Sequence, residues 1–342
     1  MRARKWPAAI SMLAVFAIVA TGAPERRSRD TTELGVAIEL TRNLGPEAQA
    51  KLLNGLRADG VSEFAVEVSW PEAEPSPGHY RIDDAVRAAR VFRQSGANVH
   101  LDLPLVAVRE KRVPADIAAL AFDDPKLSLR LGHLLDALGP ALYDIGTISL
   151  GYEADVYFFD KPEELEAYRR LFAGAVEFLK KKAPDVLVGV TTLSPTDSPA
   201  PMVAARLHQQ SPVLFYLYAP FASGQPYMHR PPDSLEHDWR RLLEASGGRP
   251  IAFPEVSYSS SPENSSSPEK QAEFVRRMRA FAASADGKHL LFVCYATLRD
   301  PPASAGGEMP GAVRRNAFFA NRGLQKADGT PKPAWKEFVG GR

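Results

Sequence analysis

Two glutamates follow apolar, strand-like stretches of the sequence. Glu153 ends the run ISLGYE, and Glu255 lies in FPEVSYSSS. Two carboxyl groups that meet in one cleft can divide acid and base chemistry, because one can be held protonated while the other stays ionised. Cleavage of a glycosidic bond needs this division, since one group protonates the leaving oxygen and the other attacks the anomeric carbon. The pair predicts such chemistry only if the fold brings the two strand ends together.

The pattern around the glutamates predicts such a fold. Eight runs rich in β-branched and aromatic residues alternate with helical patterns, which favours a closed (β/α)8 barrel over an open sheet. Active sites of these barrels lie at the carboxyl ends of the strands, where the fourth and seventh runs would present Glu153 and Glu255. The predicted strands are residues 33–40, 62–70, 98–105, 144–153, 186–193, 213–221, 250–258 and 289–298.

Two of the intervening helices are well defined by the sequence. After the fourth strand, apolar residues recur on one helical face from Leu165 to Leu179, with Asp160 as a possible N-cap. Before the eighth strand, Ser267 can cap a helix that has Pro268 at its first position. No linker rich in proline, glycine and serine divides the chain, so residues 33–342 are predicted to form a single TIM barrel.

The N-terminus has the pattern of an export signal. Three basic residues among the first five precede an apolar run at 8–20 and small residues at 21–23. This predicts a secretory signal peptide at 1–23 followed by a tail at 24–32, and hence a secreted or periplasmic protein. An uncleaved signal that anchors the protein in a membrane is the alternative. Without residues 1–23, the formal net charge falls from +1 to about −2, which does not suggest a nucleic-acid partner.

Other classes of site lack their usual sequence signals. No two histidines are spaced as in a metal-binding helix, and the sequence contains no Gly-x-Ser-x-Gly, P-loop or Gly-x-Gly-x-x-Gly motif. Cys294 is expected to be a buried small hydrophobe, because it lies in the apolar run HLLFVCYATL, and as the single cysteine it cannot form an internal disulfide. Asp102 is either a further carboxylate of the cleft or a satisfied barrel residue. We therefore expect neither a metal nor an organic cofactor.

Four stretches resemble the retaining glycoside hydrolases of clan A, including galactanase-like and glucanase-like members. These are TIM barrels with the acid/base on strand four and the nucleophile on strand seven. The resemblance implies that Glu153 is the general acid/base and Glu255 the nucleophile. The four stretches are SWPEAEPSPGHYRIDD, ISLGYEADVYF, IAFPEVSYSSS and GLQKADGTPKPAWKEF.

The resemblance also suggests residues that bind the substrate. Tyr218 matches a tyrosine that contacts the nucleophile, or is simply packed at its strand end. Trp70 is either a sugar-stacking floor or a buried structural residue. Tyr295 stands where a tryptophan often lines the sugar site, or belongs to the core. Tyr258, within the nucleophile stretch, and Tyr152 complete the predicted set.

Two departures from the family pattern bear on activity. Tyr152 replaces an asparagine that usually hydrogen-bonds the sugar 2-hydroxyl, and strand two lacks an arginine that many members place near the nucleophile. The leading hypothesis is an exported retaining hydrolase that cleaves β-linked oligo- or polysaccharides by double displacement. The alternative is a catalytically degenerate barrel that binds carbohydrate or another partner. No membrane contact is expected unless the N-terminal segment is retained.

Overall fold

The computed structural model describes residues 32–38, 46–302 and 312–340. The predicted signal peptide at 1–23 and residues 24–31 of the predicted tail lie outside these described residues. Within the described ranges, no helix is both long enough and apolar enough to cross a membrane.

A single sheet of parallel strands forms the centre of the protein. The strands pair in chain order, and the eighth returns to the first through Gly35 and Cys294. Each of the eight predicted strands corresponds to one of them. The strands are β1 (Glu33–Val36), β2 (Glu63–Glu67), β3 (Asn98–Asp102), β4 (Thr147–Ser149), β5 (Leu187–Gly189 and Thr191–Leu193), β6 (Leu214–Tyr218), β7 (Ile251–Val256) and β8 (Leu290–Tyr295).

The two segments of β5 close the barrel. The segment before Val190 pairs with β4, and the segment after it pairs with β6. At the opposite side, β1 is held tightly between its neighbours, because a Cβ on Gly35 would lie 2.2 Å from Cys294 Sγ and 2.8 Å from Glu63 O. The predicted (β/α)8 barrel is therefore confirmed.

Helices surround the barrel on its outer face. They are α1 (Pro46–Ala58), α2 (Asp83–Gln94), α3 (Pro125–Ala137), α4 (Leu165–Lys182), α5 (Pro201–His208), α6 (Ser234–Ala245), α7 (Pro268–Ala282), α8 (Val313–Asn321) and α9 (Pro333–Phe338), with shorter helices at Trp70–Ala73, Gly139–Leu142 and Ala154–Asp160.

The predicted helix starts are right in one case and wrong in the other. Ser267 caps α7 by accepting a hydrogen bond from the Lys270 amide, as expected. Asp160 does not cap α4, because it is the last residue of a short helix that directly follows Glu153. This extra helix places the chain after β4 close to the barrel mouth before α4 begins.

Candidate active site

Glu255 lies near the carboxyl end of β7 with both carboxylate oxygens hydrogen-bonded. Oε2 accepts a hydrogen bond from the Tyr152 hydroxyl at 2.9 Å, and Oε1 accepts one from Arg322 Nη1. The side chain retains 20% of its exposure. Two donors, one of them cationic, fix the orientation of the carboxylate while one side of it stays accessible. This arrangement suits a nucleophile that must meet a substrate in one defined direction.

Tyr152 is held by a hairpin that follows β3, formed by Val106–Ala107 and Glu110–Lys111. Its amide donates to Val106 O, and its carbonyl accepts from the Val108 amide, both at 2.9 Å. Burial, followed by the charges of Glu255 and Glu153, raises the pKa of the Tyr152 phenol well above its ordinary value. The phenol is therefore a neutral hydrogen-bond donor to Glu255.

Glu153 occupies a strained position at the end of the β4 segment. Its φ is +48°, in the left-handed region that favours glycine, and it directly precedes the helix Ala154–Asp160. The amide of Val108 donates a hydrogen bond to the carbonyl of Tyr152, the residue before Glu153, and Val108 also has a positive φ of +57°. A β-branched residue in this region is a true outlier, and such strain concentrates at functional sites. The backbone of Glu153 is thus fixed in a strained conformation directly after Tyr152.

Arg322 was not found from the sequence. It follows α8, and the chain is fixed on both sides of it. The Asn321 carbonyl accepts a hydrogen bond from the Ser260 amide at 3.0 Å, and the Gly323 amide donates to Asp300 Oδ1 at 2.7 Å. A Cβ on Gly323 would lie 2.3 Å from the Asp300 amide nitrogen, so glycine is needed for this approach. Strand two has no arginine near Glu255, as its sequence indicated, and Arg322 contacts Glu255 from a position near the end of the chain instead.

Trp70 and Tyr218 are buried inside the protein. Trp70 has 0% exposure, and its indole donates to Glu74 Oε2 at 2.8 Å. Tyr218 has 1% exposure, and its hydroxyl donates to Asp238 Oδ2 at 2.8 Å. A stacking floor needs an exposed face, so the structure supports the structural alternative for Trp70. The tyrosine contact with Glu255 that the resemblance assigned to Tyr218 comes from Tyr152.

Tyr258 and Tyr295 are also interior residues. Both have 0% exposure, and the Tyr295 hydroxyl donates to the Tyr258 carbonyl at 2.8 Å. Tyr258 in turn stacks on His229, with ring centroids 4.0 Å apart. Both side chains are packed and hydrogen-bonded in the interior and offer no face to a sugar. Of the five predicted binding residues, only Tyr152 is partly exposed and in contact with a candidate catalytic group.

Further carboxyl groups line the mouth at the ends of β2 and β3. Glu67 and Asp102 are neighbours in register on these strands. Burial of the carboxyl group first, and the charge of Asp102 second, raise the pKa of Glu67 to about 7, although the residue as a whole is exposed. Asp102 also accepts a hydrogen bond from His100 Nε2 at 3.1 Å. Asp102 is therefore a paired barrel residue that also adds negative charge to this side of the mouth.

The described part of the chain contains no group of three or more histidine, cysteine, aspartate or glutamate residues arranged to hold a metal ion. Cys294, as expected, is buried, and burial raises the pKa of its thiol well above the ordinary value.

No protein-family model and no curated protein matches the sequence. Solved structures do match the fold. A GH5_18 protein from Bifidobacterium longum subsp. longum superposes with a TM-score of 0.68 at 15% identity, over 90% of this chain and 78% of that chain. A GH5_18 protein from Streptomyces cattleya in complex with Manβ1-4GlcNAc gives 0.69 at 16% identity, over 90% and 79%. Xylanase 10B from Thermotoga maritima gives 0.61 at 15% identity, over 91% and 94%.

These similar structures are glycoside hydrolases of GH5 and other clan A families. The expected resemblance to clan A barrels is confirmed. At this level of identity the likeness shows the fold alone, so the roles of Glu153 and Glu255 remain predictions that depend on the geometry of the site.

Proposed function

We propose that the protein is a retaining glycoside hydrolase that acts on β-linked glycans. The observation that carries this proposal is the bond from Tyr152 to Glu255, because it joins the residue beside Glu153 on the β4 side to the carboxylate of β7. Double displacement requires at least two carboxyl groups on opposite sides of one barrel mouth.

The reaction would proceed in two steps. Glu255 attacks the anomeric carbon while Glu153 donates a proton to the leaving oxygen, which forms a covalent glycosyl ester on Glu255. Glu153, now ionised, then takes a proton from water, and that water releases the sugar from Glu255. Tyr152 and Arg322 stay bonded to the carboxylate as it loses negative charge, and these bonds fix which face of it meets the sugar.

Similar proteins that bind or cleave β-linked sugars support this class of substrate. One is a complex with Manβ1-4GlcNAc, and another is an exo-β-1,4-mannosidase from Opitutaceae bacterium strain TAV5. β-Mannosides and β-xylosides are therefore the first candidates for this chain, together with β-glucosides. The export pattern at the N-terminus supports action outside the cytoplasm.

A second candidate function is carbohydrate binding without hydrolysis. Tyr152 favours it, because its hydroxyl is engaged by Glu255 and replaces an amide that could hydrogen-bond the 2-hydroxyl of a sugar. Against it, both carboxyl groups and both donors to Glu255 are present. A site that only binds sugar has no use for a carboxylate oriented in this way.

A panel of aryl β-glycosides and β-linked oligosaccharides tests the proposal. We expect hydrolysis of at least one member, and proton NMR should show the β-anomer as the first product. Glu255→Gln should abolish this turnover, and its matched control is Glu177→Gln, which alters an exposed glutamate of the outer helix α4 and should retain turnover. The α-anomer as first product would contradict retention, and binding without any turnover would support the second candidate.

A further inference from the structure

Backbone strain marks two places in the protein. Among the described residues, the non-glycine residues with positive φ are Val108, Glu153, Tyr227 and Ser265. The first two adjoin Tyr152 in the candidate active site. The other two lie elsewhere, and the proposed catalytic steps do not use them. Strain of this kind persists only where the surrounding structure holds it, so the second place also calls for an explanation.

A buried amide holds Tyr227 in its strained conformation. Tyr227 belongs to a hairpin after β6, formed by Phe221–Ala222 and Gln225–His229. Asn264 has 0% exposure, and its Nδ2 donates to Tyr227 O at 2.7 Å and to Arg314 O at 2.8 Å. One side chain thereby joins the hairpin to α8. The position of the Tyr227 ring relative to α8 is set by this junction.

The Tyr227 ring is part of an aromatic wall, formed by Phe221, Tyr227, Phe318 and Phe319. Its centroid lies 5.4 Å from that of Phe221, 5.5 Å from Phe318 and 6.0 Å from Phe319. These contacts are edge-on or tilted, and within the described residues no ring stacks parallel to Tyr227. The side chain is half-buried. It therefore combines a fixed position with partial exposure, as a stacking platform requires.

The aromatic wall continues to the candidate nucleophile. The Arg322 guanidinium lies 4.8 Å from the Phe319 centroid and 5.7 Å from that of Phe318, and it donates to Glu255. Phe319 is also contacted by the Arg315 guanidinium at 5.0 Å. These cations already interact with the Phe319 ring, and Phe318 is buried. Of the two half-buried rings, Phe221 lies 5.2 Å from the His229 ring at an interplanar angle of 31°, so Tyr227 is the ring of the wall best placed for a ligand.

We infer that the aromatic wall is a glycan subsite in which Tyr227 stacks on the apolar C–H face of a neutral pyranose. Pyranose rings present such a face, and aromatic rings bind apolar surfaces with defined geometry. The inference rests on the proposed function for the identity of the ligand. It adds a binding position on the β6 and β8 side of the mouth.

Calorimetry tests the subsite with β-1,4-linked manno-, gluco- and xylo-oligosaccharides of one to four units, in a Glu153→Gln background that suppresses turnover. We expect Tyr227→Ala to weaken tetrasaccharide binding roughly tenfold, and Tyr227→Phe to stay within about twofold because the ring is kept. The control is Tyr143→Ala, which removes a ring that is 79% exposed and lies outside the aromatic wall, and it should bind as the parent does.

Tyr227→Gly provides a second test if Tyr227→Ala fails to fold, because glycine adopts the positive φ without strain. If the alanine, glycine and phenylalanine variants all bind the tetrasaccharide as tightly as the parent protein does, the subsite is overturned. It is also overturned if the parent protein binds no oligosaccharide. Hydrolysis by the wild type with unchanged binding in the variants would leave the proposed function standing without the subsite. Weakened binding in the alanine variant of a protein that hydrolyses nothing would leave the subsite standing alone.

Discussion

The two sides of the barrel mouth differ in charge. The acid side, formed by Glu67, Asp102 and Glu153 at the ends of β2 to β4, is rich in carboxyl groups, and the pKa of Glu67 is already raised to about 7. On the nucleophile side, Glu255 is paired with Arg322. Glu67 and Asp102 lie side by side on adjacent strands, whereas the carboxylate of Glu255 has a cation as its bonded neighbour. The difference matches the division between a proton donor and a nucleophile.

The two sides also fix their glutamates by different means. Glu153 is held by its backbone, which is left-handed and follows a residue bonded to the hairpin after β3. Glu255 is held through its side chain, by donors from distant parts of the chain. Substitutions of partner side chains should therefore disturb the position of Glu255, and changes in the local backbone should disturb the position of Glu153.

The largest expected effect separates the two glutamates. Glu255→Gln should lower kcat/KM by at least about 10⁴-fold on every substrate, because no covalent step can occur. Glu153→Gln should cost about 10²- to 10⁴-fold with poor leaving groups and far less with activated aryl glycosides, which need no proton. Steady-state kinetics over a series of aryl leaving groups makes the comparison. If both variants lose the same factor in kcat/KM with every leaving group, Glu153 and Glu255 do not have the different roles assigned to them.

The donors to Glu255 should have the next largest effect. Arg322→Met and Tyr152→Phe should each lower kcat by about 10- to 100-fold, since each removes a hydrogen bond to a charged group. Arg322→Lys should recover part of the loss, which a purely structural role would not predict. The control is Arg240→Met, at an exposed arginine paired with Asp286 on the outer surface. Unchanged kcat in Arg322→Met would contradict the positioning role.

The acid side should show a characteristic dependence of stability on pH. The pKa of Glu67 is higher in the folded than in the unfolded protein, so folding binds a proton between about pH 4.5 and about pH 7 and stability falls as pH rises through this window. The side chain of Glu67→Gln stays neutral, so the stability of this variant should not fall as the pH rises through this window. Melting temperatures of wild type and variant should agree near pH 4 and separate in favour of the variant above pH 7. Parallel curves across this range would show that the carboxyl is not perturbed.

The smallest expected effect concerns strain beside Glu153. Val108→Gly should be more stable than Val108→Ala by about 1 kcal/mol, because alanine keeps the cost of the left-handed backbone. At Gly55, an unobstructed helical position in α1, alanine should instead be the more stable residue, and Gly55→Ala should stabilise the protein by about 0.5–1 kcal/mol. Urea denaturation measures both pairs. The same order at both positions would mean that Val108 carries no local strain.

The barrel was predictable because its signals are local. Each strand is a compact β-rich run, and the capping of α7 by Ser267 is encoded within four residues. The prediction for Asp160 failed because the chain forms an additional short helix directly after Glu153, and a good N-cap residue does not show that another helix has just ended there.

The candidate site was predictable only in part. Both glutamates could be placed by their strands, but Arg322 reaches Glu255 because Asp300 and Ser260 bind the chain on either side of it. Such long-range docking leaves no periodic pattern in the sequence. The burial of Tyr218 was equally hidden, since its partner Asp238 lies on a helix outside the barrel. Aromatic residues at strand ends do not reveal from type alone whether they face the core or the cleft.

The central claim is that Glu255 is the nucleophile. The most direct test is incubation with an activated 2-deoxy-2-fluoro-β-glycoside of the sugar that the panel identifies, followed by peptide mass spectrometry. The slowed second step should leave one glycosyl ester on the peptide that contains Glu255, and Glu255→Gln should remain unlabelled. A glycosyl ester on another carboxyl group, or steady hydrolysis with no covalent species in the wild type, would contradict this assignment.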